Sequence, residues 1–158
     1  MDKDAIVEKI ASIFAAFENG PTAPDTGALV EKSMTIARVL VIAGPVIMLL
    51  LGLLYLFAAP REANHHFGYR CYFGMGSEQA WRFTQHMAGI TWTVLGSFLT
   101  LAMLIVTARF PGQDVLEMLT TAGTCVVVEA LVLLLATLVI RITVAVRYDR
   151  HGERRVKK

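Results

Sequence analysis

Charge is scarce in this sequence: Asp, Glu, Lys and Arg make up 18% of 158 residues, whereas hydrophobic residues make up 55%. Soluble domains carry about 25% charge, and a domain of this length leaves much of its surface in water. The composition therefore excludes a disordered chain and argues against a soluble globule. Cysteine is scarcer still, and two residues are too few for a disulfide framework. Fifteen basic residues against 13 acidic ones leave a net charge of only +2, so no direct nucleic-acid partner is expected.

The missing charges leave blocks of one length. Val39 to Pro60 and Met87 to Ala108 are each 22 residues without Asp, Glu, Lys or Arg, and Met118 to Ile140 is 23 residues interrupted only by Glu129. Each exceeds the ~18 residues that mark a candidate span, and as a helix each reaches about 33 Å, enough to cross ~30 Å of hydrocarbon. A backbone in lipid must satisfy its own hydrogen bonds, and no ten-residue alternating pattern suggests barrel strands, so the blocks predict helices. The expected fold is an all-α integral membrane protein, a bundle of three transmembrane helices over about 39–60, 87–108 and 118–140. No cleavable signal peptide is expected, because the first block begins only at Val39 and the opening Met1-Asp2-Lys3-Asp4 is not a basic stretch.

Three crossings put the N-terminal segment and the 109–117 loop on one side, with five basic residues. The 61–86 loop and the C-terminal tail share the other side, with ten. The positive-inside rule makes that second side cytoplasmic and the N-terminus external. Ahead of the bundle, Ile6, Ile10, Ile13, Phe14 and Phe17 form one stripe of an amphipathic helix over 1–19, ended by Gly20-Pro21 and followed by a linker over 20–35. The membrane domain is expected over 36–148. After it, 149–158 reads as a basic tail containing Arg154-Arg155 and Lys157-Lys158, drawn to anionic headgroups at ~1 kcal/mol per residue.

Between the first two spans the residue choice becomes specific. Asn64-His65-His66-Phe67-Gly68-Tyr69-Arg70 is followed by Gly74-Met75-Gly76 and then Ser77-Glu78-Gln79-Ala80-Trp81. Ser77 suits an N-cap, Glu78 complements the helix dipole in the first turn, and the helix so started runs through Trp81 and Gln85 into the second span. Arg70 offers five donors in a planar fork that suit Glu78, the Trp81 face or a phosphate headgroup. The stretch suits a structured cap better than a catalytic centre.

These residues resemble the signature of the SdpI family, the membrane immunity proteins against sporulation-delaying toxin and their relatives. The matching positions are Asn64-x-x-Phe67-Gly68-Tyr69-Arg70, Ser77-Glu78-x-x-Trp81, then Gln85 and Gly89, and Tyr148-Asp149-x-x-Gly152 after the third span. The sequence departs from the usual pattern at Cys71 (Thr or Ser), Gln85 (Asn) and Ala63 (Pro). The resemblance implies immunity to a membrane-active peptide toxin, or membrane signalling by sequestering a cytoplasmic regulator. It also implies a ligand or partner site made of Asn64, Gly68, Tyr69, Arg70, Ser77, Glu78, Trp81 and Gln85, at which Arg70→Ala or Trp81→Ala would remove protection while sparing the fold.

Glu129 has 11 uncharged residues on either side, which places it near the bilayer midplane. A carboxylate there costs at least ~2.5 kcal/mol on insertion scales and ordinarily faces the bundle interior. Ser97 and Thr93 lie at a similar depth on the second span and are candidate partners. Gly89, Thr93, Gly96 and Thr100 make a small-residue face suited to close helix packing, within a bundle or with a second copy of the chain. Gly44-Pro45 is expected to bend the first span. Neither a metal site nor a cofactor is expected, since His65, His66, Cys71 and His86 lack ligand spacing, and no nucleophile has a base at a telling distance, so an enzyme is not expected. Two alternatives stand beside the family reading. One is a small transport or channel subunit using Glu129; the other is a scaffold recruiting a partner by its basic tail.

Overall fold

The computed structural model describes residues 8, 9, 12, 15, 26–63 and 66–155. The expected amphipathic helix therefore lies almost entirely outside the described residues. Asn64, His65 and residues 156–158 lie outside them as well. Three long helices dominate the remainder: α1 (Thr26–Phe57), α2 (Glu78–Thr107) and α3 (Val115–Arg147), with short 3-10 turns at Phe73–Met75 and Phe110–Gly112. Among the described residues there is no strand, only an isolated bridge between Tyr148 and Arg154.

All three helices are long and apolar enough to cross a membrane. At ~1.5 Å per residue they reach about 45 to 50 Å, so their ends project beyond the hydrocarbon. Their outer faces carry large apolar side chains such as Phe98 and Leu134, exposed by 70% and 64%. No soluble protein leaves such a continuous apolar surface in water; lipid is its natural contact. The sequence expectation of a three-helix membrane bundle holds.

Both boundaries of the first span differ from expectation. The helix of the first span begins at Thr26, so the second half of the expected 20–35 linker is helical: after Pro24 no breaker but Gly27 precedes the span. It also stops at Phe57 rather than Pro60, because Pro60 removes a donor and disfavours helix in the residue before it. Pro45 sits fully buried inside α1, and the helix runs on through it.

The helices approach through glycine. A Cβ on Gly52 would strike the backbone of Thr93, one on Gly96 the backbone of Leu49, and one on Gly89 the Leu56 side chain. The pairs 56 with 89, 52 with 93 and 49 with 96 define an antiparallel register of α1 on α2. The small-residue face is thus occupied by the chain's own first helix. At one end of the bundle Val41, Met103, Phe110 and Met118 form a buried cluster, with Phe110 in the 3-10 turn plugging the gap between α2 and α3. At the other end Tyr69, Ala80, Ala88, Ile140, Val144 and Tyr148 form a second one.

Candidate functional site

The second cluster is where the loop between α1 and α2 folds back onto the bundle. Gly68 makes this possible. Its φ of 116° lies in the left-handed region that only glycine enters cheaply, and a Cβ there would meet the Trp81 ring and the Gln85 carboxamide. Trp81 is fully buried beneath it, and its indole N–H donates to the Pro60 carbonyl at 2.9 Å, which pins the exit of α1.

The next residue, Tyr69, is held from three sides. Gln85 accepts from the Tyr69 amide and donates to its carbonyl, both at 2.8 Å, so one side chain completes both backbone groups of a buried residue. The Tyr69 hydroxyl donates to the Thr137 carbonyl of α3 at 3.2 Å. Its ring stands edge-on to Trp92 at 5.8 Å and to Tyr55 at 6.5 Å. Burial raises the Tyr69 phenol above its ordinary pKa, with the Arg141 guanidinium beside it acting in the opposite sense. Further along, Gly74 tucks under Thr84, where a Cβ would meet the Thr84 hydroxyl and Cys71 Sγ.

Ser77 performs two tasks. Its hydroxyl oxygen accepts from the Ala80 amide at 3.1 Å, the N-cap expected from sequence, and its hydroxyl donates to the Gly152 carbonyl at 2.7 Å. Gly152, with φ 76°, belongs to a turn in which the Asp149 carboxylate accepts from the His151 and Glu153 amides at 2.9 and 2.8 Å. Those two hydrogen bonds hold the Asp149 pKa below the usual carboxylate range, the Glu153 amide contributing most. Arg155 donates back to the Arg147 carbonyl, and Arg147 lies 4.5 Å over the Phe83 ring. Residues 148–155 are therefore part of the cap and not a trailing tail.

The structure thus gathers Gly68, Tyr69, Ser77, Trp81 and Gln85 into a framework that fastens the loop to α2 and α3. Arg70 and Glu78 are exposed. Glu78 forms its ion pair with Arg82 at 3.8 Å, and Arg70 lines a groove against α3. Trp81, by contrast, is fully buried and offers no face to a partner. A second, polar groove lies where the C-terminal turn meets the start of α2, lined by Glu78, Gln79, Arg82, Glu153 and Arg154 among others. Sequence reading missed Tyr55, Thr84, Trp92 and Arg141; the aromatic content at the span ends was the one available signal for the first and third.

Deeper in the membrane Glu129 faces α1, where a Cβ on Gly44 would meet its carboxylate, and its Oε1 is buried without a hydrogen-bond partner. Neither of the expected partners bonds it. Ser97 donates to the Thr93 carbonyl of its own helix at 2.8 Å, and Thr93 Oγ1 lies against Gly52, also unpartnered. Thr100 donates to the Gly96 carbonyl. The Ser97 and Thr100 hydroxyls thus find helical carbonyls four residues back, the nearest acceptors in a medium without water. Among the described residues no three His, Cys, Asp or Glu side chains converge as a metal site would require.

No curated protein and no solved structure matches the chain. The SdpI/YfhL protein family matches residues 61–144, from the start of the cap through most of α3 and just over half of the sequence. With that match falling on the loop whose signature builds the cap, the chain belongs to the SdpI/YfhL protein family.

Proposed function

We propose that this SdpI-family membrane protein acts by binding rather than catalysis, giving immunity to a membrane-active peptide toxin or sequestering a cytoplasmic regulator. The observation that carries this reading is the division of labour in the cap. The buried signature residues build it, and a mixed-charge groove with Glu78, Gln79, Arg82, Glu153 and Arg154 opens on its surface. Such a surface suits a polypeptide partner, because charges of both signs at fixed positions select one partner by matching potentials. With ten basic residues on its side of the membrane, the cap would face the cytoplasm. The test is survival of toxin-treated cells expressing the protein. The wild type should raise the lethal toxin concentration at least tenfold, and Arg82→Glu should abolish that gain at equal membrane abundance. Survival unchanged by the wild type, or intact protection in Arg82→Glu, would count against it.

A second reading, transport or channel activity, rests on the unpartnered carboxylate oxygen of Glu129 inside the bundle. It requires proteoliposome flux that Glu129→Gln removes; reconstituted protein without flux would end it.

A further inference from the structure

A groove of about 530 Å³ runs between the loop and α3. Arg70 from the loop and Arg141 from α3 stand on its wall, and Tyr72, Phe73, Ile142 and Ala145 supply much of the remainder. Two guanidiniums set in an otherwise apolar and aromatic lining select a ligand that is anionic at one end and apolar at the other. Guanidinium forks match phosphate oxygens in pairs.

Depth narrows the ligand further. The stretch of α3 that Glu129 alone interrupts ends at Ile140, so Arg141 is its first cation past the hydrocarbon, at the level where headgroup phosphates lie. The bond from the Tyr69 hydroxyl to the Thr137 carbonyl holds the loop, and Arg70 with it, at that same end of the span. From the groove an apolar track leads into the membrane: Ile142, Leu138 and Leu134 recur every fourth residue, exposed by 53%, 50% and 64%. A soluble anion would use the arginines but not this track.

We propose that the groove binds one anionic phospholipid of the surrounding bilayer, its phosphate held by Arg70 and Arg141 and its acyl chain laid along Ile142, Leu138 and Leu134. The proposal is independent of the partner reading above, which concerns the other groove. A lipid seated here would hold the 70–75 segment against α3 and couple the cap to the anionic content of the leaflet.

The experiment is lipid retention by the full chain in detergent micelles, read by native mass spectrometry. The probes are phosphatidylglycerol and phosphatidylcholine of identical acyl chains, with inorganic phosphate as competitor. One phosphatidylglycerol per chain should be retained at least tenfold more tightly than phosphatidylcholine. The double substitution Arg70→Ala/Arg141→Ala should remove that preference, and Arg154→Ala/Arg155→Ala, which touches neither wall, should leave it. Ala145→Trp fills the groove without altering charge and should displace the lipid as well, which guards against a fold defect in the arginine variant. Equal retention of the two lipids, full retention in Ala145→Trp, or equal loss in the Arg154/Arg155 variant would overturn the proposal. So would displacement by millimolar inorganic phosphate, which would assign the arginines to a soluble anion.

Discussion

At Gln85 one carboxamide replaces a stretch of secondary structure. It supplies a donor and an acceptor to the backbone of Tyr69, which no strand or helix partner reaches. Removing it strands two buried backbone groups, each costing about 1–3 kcal/mol when left unsatisfied. Gln85→Ala should therefore lower the thermal unfolding midpoint in detergent clearly, and Gln85→Glu should fall between, since a carboxylate still accepts from the Tyr69 amide but no longer donates to its carbonyl. A midpoint unchanged in Gln85→Ala would show that the clamp contributes nothing. That Gln85 belongs to a site was legible in the sequence through its place after Trp81. That it works on Tyr69, sixteen residues earlier, was not, because the positive φ at Gly68 that turns the chain back leaves only a glycine as its trace.

Among the elements, the helices themselves were the most legible, since a charge-free run of 22 residues has few other physical solutions. Their ends were less so: past the hydrocarbon edge, caps and prolines set the boundary and hydropathy does not. The C-terminal segment shows the limit most clearly. Its basic residues suggest a tail, whereas Asp149 and Gly152 impose a turn that docks on Ser77. Because Asp149 has a folded pKa below its ordinary value, its contribution to the turn is fully present above the unfolded pKa and is lost as pH falls through the folded one. In a pH titration followed by NMR, the His151 and Glu153 amides should keep their hydrogen-bonded shifts at pH values where an exposed Asp, near ~3.9, is already half protonated. A midpoint at that ordinary value would remove Asp149 from the account.

On the scale of the whole molecule, three spans carry a cap made from both of the segments that α2 and α3 leave on one side. The glycine register of α1 on α2 fixes where Pro60 emerges, Trp81 reads that position, and Gly68, Tyr69 and Ser77 carry the connection to Thr137 and Gly152. The family signature is thus mostly a folding instruction, and the exposed residues it leaves over are the ones available for recognition. Hydrogen exchange of the protein in lipid nanodiscs, read on peptides covering residues 66–76 and 148–155, tests this most directly. Both segments should exchange as slowly as the helix ends they dock on, and Gln85→Ala together with Ser77→Ala should release them. Exchange of the two wild-type segments at the rate of an unstructured chain would contradict it.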